Sequence, residues 1–381
     1  MIFFLLPPFF KRGITTMTNF RKMLLSTAAI GLTTVATVSS TSAADVEKKF
    51  AWSGHVNRAI IMGSDGEENF IAHEDGNVSG SRARMKASAK SSSLEIGALV
   101  ELAIQAGAGA SQNAAGSDAF SIRHSMLYFE NSMGTVKFGD TSHAGGDFVG
   151  VDMSGTSHAD DISGTLFDSV KFNDSSSIDG SQAAGVTVAT AHDSDMSAGR
   201  ASGIGYTSPS FNGFGFAVAH ITAASGAYQV TYGGDFNGMK VKAGYNFINV
   251  AGATDESRSG GGVGVTLPSG LNISANYRTT ALESVSNTAN NADPEMYYGK
   301  VGYTLSGISD LGKTNVALAY RNTEDASATG DDLKMVSFLV NQALSDYGTT
   351  IYGGYSNISY DTAASDFDDI NGFFIGSRIV F

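Results

Sequence analysis

Met239–Phe247 reads MKVKAGYNF, and its nine residues sort by parity into two faces. Met239, Val241, Ala243, Tyr245 and Phe247 fall on one side; Lys240, Lys242, Gly244 and Asn246 fall on the other. Successive side chains of a strand point to opposite faces, so the segment predicts a strand with one apolar and one polar face. Helical i, i+3, i+4 spacing fits it less well.

The same period recurs along the chain. In Ser81–Lys90, Ala83, Met85, Ala87 and Ala89 oppose Arg82, Arg84, Lys86, Ser88 and Lys90. In Leu94–Ile104, Leu94, Ile96, Ala98, Val100, Leu102 and Ile104 oppose Glu95, Gly97, Leu99, Glu101 and Ala103. Leu271–Arg278 and Tyr297–Leu305 alternate in the same way. A soluble sandwich also alternates, but here the polar faces repeat Arg and Lys among Gly and Ser, and the apolar faces carry Tyr and Phe near segment ends. That is the pattern of lipid outside, water inside and an aromatic girdle at each interface. The fold class expected is all-β, a transmembrane antiparallel β-barrel.

Composition agrees. Among 381 residues, Gly is frequent at 46, Pro scarce at 5, and charged residues only 16%, which disfavours a soluble α/β enzyme. No second apolar run resembles a spanning helix, and only helices and closed barrels satisfy the backbone in lipid. The N-terminus reads as a targeting segment: basic Arg21 and Lys22, apolar Met23–Val38, and small residues at Thr41–Ala44 for cleavage. Residues 1–44 are thus an extension plus signal peptide, with Met17 the more natural start, and 45–381 the barrel. The extension and signal carry Lys11, Arg12, Arg21 and Lys22 and no acid. Of 24 basic residues, 20 remain against 37 acids, a charge of −17, which argues against nucleic acid as a partner. Without cysteine, an exported chain must draw its stability from the fold itself.

Short turns are expected at Ser91–Ser93, Ser132–Gly134, Ser208–Gly213, Pro268–Gly270 and Ser345–Gly348. Long polar loops are expected at Gly63–Asn77, Gly107–Ser117, Ala281–Pro294, Asp325–Asp332 and Asp361–Asp369. Barrels put the short turns at one end and the long loops at the other, and the segments total about sixteen strands. Thr141–Gly199 stands apart as a stretch without a membrane-length strand, with Val186–Ala191 reading as a short strand inside it. It holds Asp147, Asp152, Asp160, Asp161, Asp168, Asp174, Asp179, Asp193 and Asp195 against one Lys, Lys171. A loop of that length is expected only where it has a function.

In order along the chain, these segments resemble the general bacterial porin family, the trimeric, sixteen-stranded kind. Ser81–Lys90 (SRARMKASAK) is similar to its second strand. Ser121–Asp140 (SIRHSMLYFENSMGTVKFGD) resembles the strand pair that enters the pore loop. Arg200–Phe216 (RASGIGYTSPSFNGFGF) and Asn371–Phe381 (NGFFIGSRIVF) resemble the strand and turn after that loop and the closing strand. The resemblance implies a third loop, 141–199, folded into the lumen, and an eyelet in which wall arginines face loop acids. By position these are Arg84, Arg123, Arg200 and Arg82 on the wall, and Asp147, Asp152, Asp160 and Asp161 on the loop. For Arg123 the expected parity has Ile122, His124 and Met126 outward.

It further implies a homotrimer, contact with outer-membrane lipid and lipopolysaccharide, and a terminal Phe381 read by the outer-membrane assembly machinery. Phe373, Ile375, Ile379 and Phe381 would face lipid; Gly372, Gly376 and Arg378 would face the lumen.

The function expected is passive diffusion of ions and small hydrophilic solutes, with no enzymatic chemistry and no cofactor. Opposed charges across a narrow opening order water and orient dipolar solutes. The ion preference is balanced, with a lean to cations from the total charge. The alternatives are a non-channel barrel, such as an adhesin, or a substrate-selective channel; whether the acidic loop folds inward or outward separates channel from surface protein. The seven histidines show no metal-ligand spacing. The acidic loop offers the oxygens calcium takes, without EF-hand spacing. Gly260–Gly264 lacks the Lys and helix of a phosphate loop and reads as a loop-to-strand transition.

Overall fold

The computed structural model describes residues 46–75, 77–108, 117–146, 149–173, 186–192, 197–222, 224–250, 256–282, 293–326, 329–363 and 365–381. The expected extension and signal peptide, residues 1–44, lie outside them. Nineteen strands are found among the described residues: β1 (Glu47–Ser64), β2 (Asn69–Glu74), β3 (Arg82–Lys90), β4 (Glu95–Ala108), β5 (Ser117–Asn131), β6 (Gly134–Thr141), β7 (Asp160–Asp161), β8 (Gly164–Thr165), β9 (Ala201–Thr207), β10 (Phe214–Ile221), β11 (Ala224–Phe236), β12 (Met239–Val250), β13 (Glu256–Thr266), β14 (Leu271–Leu282), β15 (Glu295–Leu305), β16 (Thr314–Glu324), β17 (Asp332–Leu344), β18 (Thr349–Asp361) and β19 (Ile370–Val380).

All but β7 and β8 form one antiparallel sheet of 17 strands, each paired with the next along the sheet except β2 and β3. Strands β2 and β3 both pair with β1 and share one position in the wall, so the barrel has 16 staves. A 3-10 turn at Asn77–Ser79 interrupts that stave. The expected loop Gly63–Asn77 therefore contains a strand. The reason is local: Ala72 and Glu74 are buried and Ile71 is exposed, the same alternation on a shorter scale. Gly260–Gly264 is likewise strand, within β13.

Closure joins β1 to β19, with His55 opposite Val380 and Ser64 opposite Asn371. The last rung belongs to the last residue: Gly54 N donates to Phe381 O at 2.8 Å, and Phe381 N donates to Gly54 O at 3.0 Å. Phe373, Ile375, Ile379 and Phe381 are exposed on the outer face. A Cβ on Gly376 would collide with the Tyr352 ring inside, as that parity requires. The short turns gather at this same end. One two-residue turn, between β11 and β12, uses Asn237 and Gly238, both at positive φ (54° and 86°), the geometry that matches a two-residue hairpin to strand twist.

Parity changes within β5. The β4–β5 ladder pairs Glu101 with His124 and Leu102 with Ile122, leaving Arg123 as the extra residue of a β-bulge. Phe120 and Ile122 are exposed before the bulge, and Leu127 after it, with Tyr128 buried. The outward residues thus change from even to odd. His124 and Met126 were expected outward on unbroken alternation; the bulge instead brings His124 beside Arg123 on the inner face, against Glu101.

Because Phe381 supplies both hydrogen bonds of the closing rung, its deletion should lower the yield of heat-resistant folded barrel in outer-membrane fractions severalfold. The unit conductance of the barrels that do assemble should stay unchanged in bilayer recordings.

Candidate functional site

Between β6 and β9 the chain enters the barrel and runs along its inner wall. Backbone inside a barrel has no neighbouring strand, yet its N–H and C=O groups still need partners. The wall supplies them from side chains. Val149 N donates to Asn246 Oδ1 (3.5 Å). Val151 N donates to Asn276 Oδ1 (2.7 Å) while Val151 O accepts from Asn276 Nδ2 (3.0 Å), so one amide side chain serves as a strand neighbour. Met153 N donates to Ser274 Oγ (2.9 Å), and Gly155 O accepts from Asn341 Nδ2 (2.9 Å).

Close approach needs absent side chains as well. A Cβ on Gly244 would stand 2.0 Å from Val149 Cγ1, and one on Gly264 would stand 2.5 Å from Met153 Cγ. The lumen-facing Gly, Asn and Ser of β12 to β15 thus form a track that fits the loop backbone.

Charge fixes the loop next. Lys300 of β15, its side chain fully buried, donates to Asp152 Oδ2 (2.9 Å), Thr156 Oγ1 (3.3 Å) and Asp160 O (2.6 Å). Asp160 accepts from Tyr298 Oη (3.1 Å) and Arg321 Nη2 (3.3 Å); Arg321 also donates to the Asp161 carbonyl. Asp161 accepts from the amide and hydroxyl of Ser163 and lines a cavity of 320 Å³ with Asp152, Arg278 and Tyr298.

An apolar plug follows. Leu166, Phe167, Phe172 and Val188 are fully buried against Ile61, Leu333, Tyr352, Ile358, Tyr360 and Phe374. Each such side chain contributes about 1.5–3 kcal/mol of transfer energy. The inner faces of β17 to β19 are therefore largely apolar, unlike the wet interior that alternation alone implies. The expected strand Val186–Ala191 is instead a short helix, α1 (Val188–His192). Thr187 Oγ1 accepts from Thr190 N (3.2 Å) at its start, and Val188, Ala191 and His192 turn inward at helical spacing.

On the opposite wall the arginines converge. Glu101 of β4, fully buried, accepts from Arg84 Nε (2.6 Å) and Arg123 Nε (2.9 Å), with Arg82 Nη1 at 3.5 Å and His124 Nε2 at 3.8 Å. Arg378 donates to His55 Nδ1 (3.1 Å), and His55 and Arg82 share the Gly80 carbonyl. A fourth guanidinium thereby joins the same stretch of wall. Buried charge demands compensation, and one carboxylate here holds three cations in place.

Arg82, Arg84 and Arg123 are thus brought together. Arg200 stands exposed just ahead of β9, two strands further round. Asp152 and Asp160 sit on the loop but face Lys300 and Arg321 rather than the arginines. Asp147 lies outside the described residues, as do Asp174, Asp179, Asp193 and Asp195. Among the described residues no three His, Asp or Glu side chains gather to hold a metal. Sequence reasoning left Glu101 unassigned, although its lumen parity among arginines on neighbouring strands was the available signal.

Two loop groups are tuned by this packing. Burial pushes the Asp152 carboxyl up, but the Lys300 ammonium and the Ser154 N–H and hydroxyl outweigh it and hold the carboxyl below its ordinary value. His158, edge-on to Tyr352 (6.2 Å), is pushed down to about 4 by burial and then by Arg378, His55 and Lys300.

A family model described as Gram-negative porin matches residues 28–363. Among solved structures the chain is similar to the anion-selective porin from Comamonas acidovorans, at 15% identity over 88% of this chain and 100% of that one, TM-score 0.58. It is similar to the in-vitro folded trimer form of OmpT, an outer membrane protein of Vibrio cholerae, at 15% identity over 88% and 99%, TM-score 0.56. It is also similar to a mutant of the Rh. blastica porin, at 14% identity over 87% and 100%, TM-score 0.51. At such identities the likeness is one of fold. Comparison with curated proteins gave no match.

Breaking the buried pair by Lys300→Met leaves Asp152 without its partner, a loss of about 3–5 kcal/mol; proteolysis within the loop should accelerate at neutral pH while the barrel stays heat-resistant. Acid should loosen the loop as well. His158 must stay neutral, so its contribution is complete above pH 6.5 and declines as the pH falls toward about 4. The depressed Asp152 extends the loss below 3.8. Hydrogen exchange of the 149–156 amides should rise over the upper window in the parent, and much less in His158→Gln.

Proposed function

Since the chain belongs to the Gram-negative porin family and is a multi-pass outer-membrane channel, we propose that Arg82, Arg84, Arg123 and Arg378 form one side of its constriction and that this constriction favours anions. The observation that carries this reading is the pairing of charges. The loop acids Asp152 and Asp160 are taken up by Lys300 and Arg321. The arginine wall carries four guanidiniums against one carboxylate, Glu101. Arg123 meets Glu101 through its Nε, and its side chain stays partly exposed. The lean to cations drawn from total charge gives way, because that total is not distributed evenly along the pore.

Permeation on this reading is diffusive. Solutes cross without chemical change and without a coupled energy source. The field between the arginine wall and the docked loop orients water, and an apolar solute must displace that water, whereas a small carboxylate or phosphate exchanges it for guanidinium donors. The inward course of the loop favours a channel over a surface adhesin. We assign the chain a homotrimeric state by analogy with the trimer form of Vibrio cholerae OmpT. Its exposed apolar belt would contact outer-membrane lipid and lipopolysaccharide.

The purified protein in a planar bilayer under a KCl gradient should give stepwise conductance with a reversal potential of anion-selective sign. Arg84→Glu combined with Arg123→Glu should lower the anion/cation permeability ratio severalfold. An unchanged ratio removes those residues from the constriction, and absence of steps removes the channel.

A further inference from the structure

Exposed acids gather at the long-loop end of the barrel. Glu67 and Glu68 lie in the β1–β2 turn, Asp293 ahead of β15, Glu324 at the end of β16, and Asp366 and Asp369 between β18 and β19. The cations on the strands at that end are each paired with an acid: Arg58 with Asp75, Arg258 with Glu256, Lys334 with Asp332. Next along the axis comes the arginine wall; beyond it, toward the short turns, Lys86 and Lys90 share Glu95, and Lys240 and Lys242, of lumen parity, are exposed.

From this arrangement we infer that the pore is a rectifier: an acidic outer mouth in series with a cationic constriction, passing more current in one direction than in the other. The inference rests on the channel reading above. Its physics is that of two oppositely charged zones in contact. The acidic mouth is filled by cations and the constriction by anions. A positive potential on the long-loop side drives both into the junction, where carriers accumulate and conductance rises. The opposite potential draws both away, and the junction is depleted. The effect requires that each zone exclude its co-ions, so it depends on the screening length, which is about 30 Å at 0.01 M salt and about 3 Å at 1 M.

The test is single-channel recording of the full chain in bilayers of uncharged lipid, in KCl at low and at high concentration. The chain has no cysteine, so Glu67→Cys and a membrane-impermeant thiol reagent on one side report the orientation of each channel. At low salt the current should be at least about twofold larger with the long-loop side positive, and this asymmetry should vanish near 1 M, where charges are screened. A second variant carrying Glu67→Gln, Glu68→Gln, Glu324→Gln and Asp369→Asn should bring the ratio toward one while the channel stays anion-preferring. Symmetric current at low salt from an anion-preferring channel overturns the inference and leaves the channel reading standing. Asymmetry that survives rim neutralisation overturns it too. Absence of any conductance removes both.

Discussion

Backbone that leaves a sheet must still bond, and where this loop runs against the barrel the wall supplies the partners. That requirement organises this molecule. The segment after β6 has no strand beside it, so Asn246, Ser274, Asn276 and Asn341 reach out from the wall to take its amides and carbonyls. Those side chains are useful only where the loop comes close, and the loop comes close only where Gly244, Gly262, Gly264 and Gly302 leave room. Polar satisfaction and steric clearance are thus one design, read alternately along the same strands. The apolar plug and the Lys300–Asp152 pair then hold in place what the amides have positioned.

Docking the loop on one side divides the barrel into unlike halves. On the side of β15 to β19, inward residues pack as a protein core does, with Tyr298, Leu333, Tyr352 and Phe374 buried beneath Phe167 and Phe172. On the side of β3 to β5, inward residues remain polar, and Glu101 organises arginines from two neighbouring strands. In our proposal the channel follows the polar half, and its sign follows from which acids are already spoken for, which a sum over the whole chain does not reveal.

Much of the barrel was legible because a strand's period is two and lipid tolerates little else on the outer face. Phe373, Ile375 and Ile379 could be placed outward, and the closing strand could be matched to the first, on alternation alone. Alternation says which face a residue is on but not what covers that face, so the apolar interior of β17 to β19 stayed hidden. A β-bulge leaves no mark in composition. The one at Arg123 moved His124 to the inner wall against a parity that holds on either side of it. Lumen parity was enough to place Arg82 and Arg84 inside, and the resemblance placed Asp152 on the inward loop, yet pairing partners depend on the course of the loop. That course depends on Asn and Gly positions whose meaning appears only when the backbone they receive is in view.

The closing ladder carries a consequence in time. Arg378 bonds to His55 across 323 residues, and Phe381 bonds to Gly54 at the same seam. Until β19 is in place, the first strand keeps one edge open, and an open edge invites pairing with other chains. The molecule therefore cannot complete itself from the N-terminus as it emerges.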